Sequence, residues 1–193
     1  MGIVLASASP RRRELLEMMG ISGFEVAPAD VDEAVPALPP DEAVTFIARQ
    51  KARRVAEARL KTDLVIAADT LVYLDGEALG KPETECEARN MLRRLSGAKH
   101  TVYTGVAIIS GGRESAFAEK TDVYFRQMGD EEIEAYISTG EPMDKAGAYG
   151  AQGKGAVFIR RIEGDFFNVV GLPVCRLATE LRGFGQELIL KPV

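Results

Sequence analysis

The sequence has no Trp, one His and two Cys among its 193 residues, and aromatics make up only 7%. Cys86 and Cys175 lie far apart and form no Cys-x-x-Cys pair. That excludes a disulfide framework and a thiolate zinc site, and the expected setting is reducing and cytoplasmic. The lone His100 excludes His-rich metal sites. It directly precedes a predicted strand with no nucleophile at a partnering distance, so a structural or solvent-exposed role is expected rather than a catalytic one. No apolar run approaches the roughly 20 residues of a membrane span. The opening Met1-Gly2-Ile3-Val4-Leu5-Ala6-Ser7 has no basic segment ahead of its short apolar stretch, so no signal peptide is expected. There is no Gly-x-Gly-x-x-Gly. Neither Gly80-Lys81 nor Gly153-Lys154 has the upstream Gly or the following Ser or Thr of a Walker phosphate loop. Basic residues are outnumbered, 24 against 29 acidic, for a net charge of −5. That lacks the broad basic face of a nucleic-acid binder.

What is present describes an ordinary folded chain: 46% hydrophobic and 27% charged. The length suits one domain, or one with two lobes, that buries on the order of 70% of its unfolded surface. The basic residues that do occur are concentrated. Arg11-Arg12-Arg13 form one group and Lys51, Arg53 and Arg54 another. Local clusters on an acidic chain point to a compact anion as ligand rather than a long polyanion.

Patterning predicts strands at 3–6, 24–27, 64–68, 101–110 and 114–126. Helices are predicted at 10–19, opened by Ser9-Pro10, and at 41–60. Others are predicted at 84–95 behind a Thr84-x-x-Glu87 capping box, at 130–138 capped by Asp130, and at 173–182. Asp75-Gly76 predicts a hairpin between 71–74 and 77–79, and Gly164-Asp165 predicts another between 156–162 and 166–170. Residues 30–40 and 139–155 read as loops. Crossovers and hairpins together make the class α/β with a mixed sheet.

Five segments could carry chemistry. Ser7-Ala8-Ser9-Pro10-Arg11-Arg12 joins a strand to a helix start, where backbone N–H groups, two hydroxyls and guanidiniums suit phosphate. It equally fits an N-capped helix with solvated arginines. Asp69 of Ala67-Ala68-Asp69-Thr70 ends an apolar strand, a position for a metal ligand, a base that orients water, or a turn cap. Asp30-Val31-Asp32-Glu33 could chelate Mg²⁺ or be a solvated loop. Lys51 falls on or beside the apolar stripe of its helix, which is unusual for Lys. Together with Lys81 it could neutralise developing charge, or both could reach solvent. Finally, the Gly-rich 144–153 stretch could let backbone approach a planar ligand, with Gln152 able to read a base edge, or it could be a plain connection.

Taken together, the segments resemble the Maf family of nucleoside-triphosphate pyrophosphatases. The likeness runs in order through Leu5-Ala6-Ser7-Ala8-Ser9-Pro10-Arg11-Arg12, Asp32-Glu33, Gln50-Lys51-Ala52, Ala68-Asp69-Thr70 and Gly80-Lys81-Pro82. It continues through residues 91–97, Glu141-Pro142-Met143-Asp144-Lys145-Ala146-Gly147-Ala148-Tyr149-Gly150, Gln152-Gly153 and Val170-Gly171-Leu172-Pro173. The resemblance implies a single two-lobed domain over 1–193, with a mixed sheet around a cleft, similar to the Maf/inosine-triphosphatase group. It implies hydrolysis of the α–β phosphoanhydride. Asp69 would be the proton acceptor, with Lys51 and Lys81 catalytic. Ser7, Ser9 and Arg12 would bind phosphate, and Glu33 and Asp69 would hold a divalent cation, Mg²⁺ or Mn²⁺. Arg11, Thr70 and Gln152 match the specificity positions of the subgroup acting on dTTP and UTP, with modified pyrimidine nucleotides as further substrates and a house-cleaning role. A homodimer is expected by the same analogy, and neither nucleic acid nor membrane is expected as a partner. The competing expectation is a non-enzymatic regulator of cell division or septum formation that works through a protein partner.

Overall fold

A computed structural model describes residues 2–186. The expected 1–193 domain extends past them, and Met1 and residues 187–193 lie outside the described residues. Sheet formation centres on the most apolar segment of the chain. β3 (Leu64–Leu74) is buried at every position except Thr70 and Tyr73, and a strand covered on both faces belongs inside a sheet. β1 (Ile3–Leu5) runs parallel to its first half, with Ile3 opposite Leu64 and Leu5 opposite Ile66. β2 (Glu25–Val26) adds in parallel on the far side of β1. The second half of β3 pairs antiparallel with β4 (Glu77–Leu79). Their connection places Asp75 at φ 52° and Gly76 at φ 83°, two left-handed residues in succession, as a tight hairpin requires. β5 (Lys99–Ser110), β6 (Arg113–Phe125) and β7 (Ile159–Glu163) complete a seven-stranded mixed sheet ordered β2-β1-β3-β5-β6-β7, with β4 paired to β3 off that path.

The chain divides into two units. One takes the residues up to Asp69, Thr104–Glu119 and the segment from Gly171, and the other takes Thr70–Tyr103 and Lys120–Val170. The first contains α1 (Pro10–Met18), α2 (Pro40–Ala56) and α6 (Val174–Arg182). Its core includes Val4, Ala6, Ala48, Ala52, Val65 and Ala107, mostly small residues. They let α2 approach the sheet so closely that a Cβ on Gly105 would lie 2.3 Å from the backbone carbonyl of Val44. The second unit contains α3 (Glu85–Leu95), α4 (Asp130–Ile137) and α5 (Phe166–Val170). Its core is larger-grained, with Leu92, Leu95, Phe125, Ile133, Tyr136 and Phe158.

Several local expectations are corrected. Residues 64–68 and 71–74 are one strand, because β3 is paired at both ends and Asp69-Thr70 stays extended between them. The hairpin expected from 156–162 and 166–170 does not form. A 3-10 turn (Lys154–Phe158) leads into β7, and 166–170 is the helix α5. Asp165 Oδ1 accepts from the N–H of Phe167 at 2.7 Å, and the buried Asn168 donates to Val102 O and Thr121 Oγ1, which draws the segment inward instead of into a ladder. Helix α2 ends at Ala56 rather than 60, since Ala58 and Arg59 already bond three residues back, to Val55 and Ala56. Gly129, not Asp130, occupies the N-cap of α4. At α3, Thr84 Oγ1 accepts from Glu87 N–H, but the Glu87 carboxylate accepts from Glu83 rather than from Thr84. The 139–155 segment is not an open loop, because it holds 3-10 turns at Glu141–Asp144 and Ala146–Ala148.

Candidate active site

In the first unit, β1 runs out at Leu5 and a small-residue turn redirects the chain into α1. Ser9 caps α1, its hydroxyl accepting from the N–H of Arg12 at 3.5 Å. The buried Ser7 Oγ accepts from Ser9 N–H at 3.3 Å and from Arg12 Nη1 at 3.0 Å. Arg12 Nε donates to the Gly171 carbonyl at 2.8 Å. Gly171 has φ 120°, a conformation that L side chains rarely adopt. The guanidinium is thus anchored by a hydroxyl and a carbonyl. Burial lowers its pKa, the Asp69 charge opposes that, Arg11 lowers it further and Glu33 raises it. All three side chains therefore lie within electrostatic reach of Arg12.

The second group forms where α2 faces β3. Lys51 follows Val44, Ile47 and Ala48 on the buried stripe of α2, so its ammonium is delivered inward. Nζ lies 2.7 Å from Asp69 Oδ1 and 2.7 Å from Glu33 Oε1. Lys51 and Asp69 are buried, whereas the Glu33 side chain is 51% exposed. Asp32 of that loop acts elsewhere: its Oδ1 accepts from Ala34 N–H at 2.9 Å, which closes a local turn. Removing one partner of a buried ion pair ordinarily leaves an uncompensated charge. Here Lys51 keeps one carboxylate when the other is removed.

In the first unit the structure therefore joins Ser7, Ser9 and Arg12 in one bonded group and Glu33, Lys51 and Asp69 in another, with the Asp69, Glu33 and Arg11 charges within electrostatic reach of Arg12. Thr70 follows Asp69 on β3 and is half-buried. Side chains alternate faces along a strand, so Asp69 and Thr70 point opposite ways. Lys81 and Gln152 belong to the second unit, and both are exposed. Lys81 follows Gly80, whose carbonyl accepts from Gly147 N–H at 3.0 Å, and Gln152 stands in the Gly-rich segment. Nothing local in the sequence marks Gly171 as the anchor of Arg12, 159 residues away. Nor does anything there mark Glu141 as the organiser of the segment around Gln152.

No cluster of three or more His, Cys, Asp or Glu is arranged for a metal among the described residues. The donor set still fits a hard divalent cation. Two carboxylates converge on one cationic point, and Mg²⁺ commonly takes one or two carboxylates with substrate phosphate and water completing its shell. No described helix is long and apolar enough to cross a membrane. Cys86 and Cys175 are free and exposed.

A family model described as Maf-like protein matches residues 2–184. The chain belongs to the Maf family. This Maf chain is 54% identical over 187 residues to the dTTP/UTP pyrophosphatase of Carboxydothermus hydrogenoformans, covering 96% of this chain and 100% of that protein. It is 49% identical over 187 residues to a dTTP/UTP pyrophosphatase of Bacillus cereus, covering 96% and 97% of the two chains. It is 48% identical to that of Bacillus mycoides over the same shares. Among solved structures it superposes on the Staphylococcus aureus Ham1 protein with a TM-score of 0.56 at 15% identity, covering 95% of this chain and 100% of that one. The TM-score with a HAM1 protein from Coxiella burnetii is 0.53 at 18% identity, covering 95% and 99%. The Maf chain thus shares its mixed α/β fold with the Ham1 proteins.

Proposed function

We propose that this Maf protein is a nucleoside-triphosphate pyrophosphatase that hydrolyses dTTP and UTP to the monophosphate and pyrophosphate. The observation that carries this is the convergence of Asp69 and Glu33 on the buried Lys51, with Arg12 within electrostatic reach. It occurs in a chain about half identical, over nearly its whole length, to proteins of that name.

The chemistry follows from the charges. A water oxygen forms a bond to the α-phosphorus while the bond from that phosphorus to the α–β bridging oxygen breaks. Pyrophosphate leaves, and the water's proton passes to the Asp69 carboxylate as general base. Phosphoryl transfer needs mainly positioning and charge neutralisation. Arg12, held by Ser7 and Gly171, offers a fixed guanidinium, and Lys51 offers an ammonium. The turn at Ser7–Ser9 adds backbone donors at a helix start. Lys81 serves as a further phosphate cation, while Arg11, Thr70 and Gln152 select the base. Glu33 and Asp69 would hold Mg²⁺ or Mn²⁺, which when bound supplies positive charge to the phosphate oxygens. The same reading makes modified pyrimidine nucleotides further substrates and nucleotide house-cleaning in the cytoplasm the role, with a homodimer as the assembly.

The test is turnover of a panel of canonical and modified triphosphates with and without Mg²⁺ or Mn²⁺, measuring pyrophosphate and orthophosphate separately. Metal-dependent pyrophosphate release from dTTP and UTP is expected, and Asp69→Asn is expected to lose about 10²- to 10⁴-fold in turnover. The variant should stay folded because Lys51 keeps its pair with Glu33. Orthophosphate release would make the protein a γ-phosphatase. No turnover on any nucleotide would favour a regulator of division, and near-normal turnover by Asp69→Asn would remove Asp69 from its role.

A further inference from the structure

The segment that carries Gln152 is rich in glycine, yet it is pinned on both sides of that residue by one carboxylate. Glu141 Oε2 accepts from the N–H of Lys154 at 2.8 Å, and Oε1 accepts from the N–H of Gly155 at 3.1 Å. Oε1 also accepts from the buried Tyr136 hydroxyl at 2.9 Å. That same hydroxyl accepts in turn from Gly150 N–H at 3.2 Å. The carboxylate thus holds the chain two and three residues after Gln152, and through Tyr136 it holds the chain two residues before. Lys145 Nζ closes the arrangement by donating to the Glu141 carbonyl at 2.9 Å.

The glycines of this segment are the ones that wrap the carboxylate. A Cβ on Gly153 would lie 2.4 Å from Glu141 Oε1, and one on Gly155 would lie 2.6 Å from the Tyr136 hydroxyl. A Cβ on Gly150 would meet the Lys145 side chain at 2.8 Å. Just upstream, the buried Ala148 is held at φ 59°, a left-handed conformation that is uncommon outside glycine and persists where the surroundings impose it. Gln152 itself is exposed. A segment this rigid around one outward amide is ordered before anything binds to it, and ordering a loop in advance lowers the entropic penalty of binding.

The geometry points to Glu141 as the positioning residue for nucleotide-base selection: its carboxylate, with Tyr136, fixes the backbone on either side of Gln152. This rests on the reading that Gln152 contacts the base. Glu141 does not touch the reacting atoms, so its loss acts on KM and base preference, not on the chemical step.

The experiment is steady-state kinetics on dTTP, UTP and CTP for the full-length protein and for Glu141→Gln, Glu141→Ala, Gln152→Ala and the Glu141→Ala/Gln152→Ala double variant. Glu141→Ala is expected to raise KM for dTTP about 10-fold and to narrow the preference for dTTP over CTP. Its kcat is expected to stay within about 2-fold. Glu141→Gln, which keeps one acceptor oxygen, should fall between it and the parent. The double variant should be no worse than Gln152→Ala, since both changes remove the same contact. Tyr136→Phe provides the same readout if Glu141→Ala fails to fold. Equal losses on every nucleotide, a fall in kcat with KM unchanged, or fully additive effects in the double variant would overturn the proposal. If Gln152→Ala leaves base preference intact, the reading of Gln152 fails, and Glu141 loses the selection role with it. If Gln152→Ala alters preference while Glu141→Ala and Tyr136→Phe do not, only the positioning role fails.

Discussion

His100 is buried against Phe125 and Tyr149, with ring centroids 4.9 and 5.3 Å away. Its Nε2 lies 2.8 Å from the Tyr149 hydroxyl, and Nδ1 has no hydrogen-bond partner among the described residues. Burial drives its pKa down to about 4, with the Asp122 charge opposing. An unfolded His binds a proton near pH 6.5, so below that pH the unfolded chain takes up a proton that the folded one refuses. The contribution of His100 is full above pH 6.5 and is lost as pH falls towards 4. Between pH 6.5 and 5 the loss should approach about 2 kcal/mol. Urea midpoints measured across that range would show it, and His100→Phe should flatten the dependence, since no other His titrates there. A wild-type curve without slope would contradict the buried neutral imidazole. Legibility at this scale was uneven. Lys51 stood out because a charge sat on an apolar stripe, and the structure answers that anomaly with two carboxylates. Arg12 was legible as a cation, but its anchor at Gly171 was not, because nothing local links positions so far apart. Glu141 read as one more polar residue in a loop, since its role depends on backbone N–H groups that leave no pattern in side-chain type.

At the level of elements, the close approach of α2 to β5 rests on the missing side chain of Gly105. Its added Cβ would strike the Val44 backbone, which has no rotamer to move. Gly105→Ala should therefore destabilise by about 3 kcal/mol through overpacking, measurable by denaturant unfolding. A loss below about 0.5 kcal/mol would mean that α2 shifts freely. Most elements could be read from local pattern. The capped starts of α1 and α3 and the Asp75-Gly76 hairpin each declared themselves through one or two residues whose chemistry permits little else. The misreadings share a cause. Over five residues such as 166–170, an apolar run fits strand or helix equally well, and the decision fell to Asp165 and to buried bonds from Asn168, which are tertiary. The apparent break at Asp69-Thr70 was likewise local polarity within a strand whose pairing partners lie elsewhere in the chain.

For the whole molecule, net charge described the average and concealed the arrangement. An excess of acids is spread over the chain, while the candidate site gathers two cations and two anions within reach of one another. The mixed α/β class was legible from the order of crossovers and hairpins. The position of the boundary between the two units, with Asp69 and Thr70 on either side, was not, because β3 crosses it without a change of composition.

The position of Lys51 has a consequence for how this protein tolerates chelation. Domains whose acidic ligands repel one another without a metal unfold when it is withdrawn. Here an ammonium already stands between Glu33 and Asp69, so the chain supplies its own resident counter-ion. EDTA should abolish pyrophosphate release while leaving Tm within about 1 °C, because Lys51 still neutralises both carboxylates when the cation is withdrawn. In Lys51→Met the two carboxylates lose that ammonium, and Tm should become sensitive to divalent cations. A Tm that collapses in EDTA for the unmodified protein would mean that its fold depends on metal.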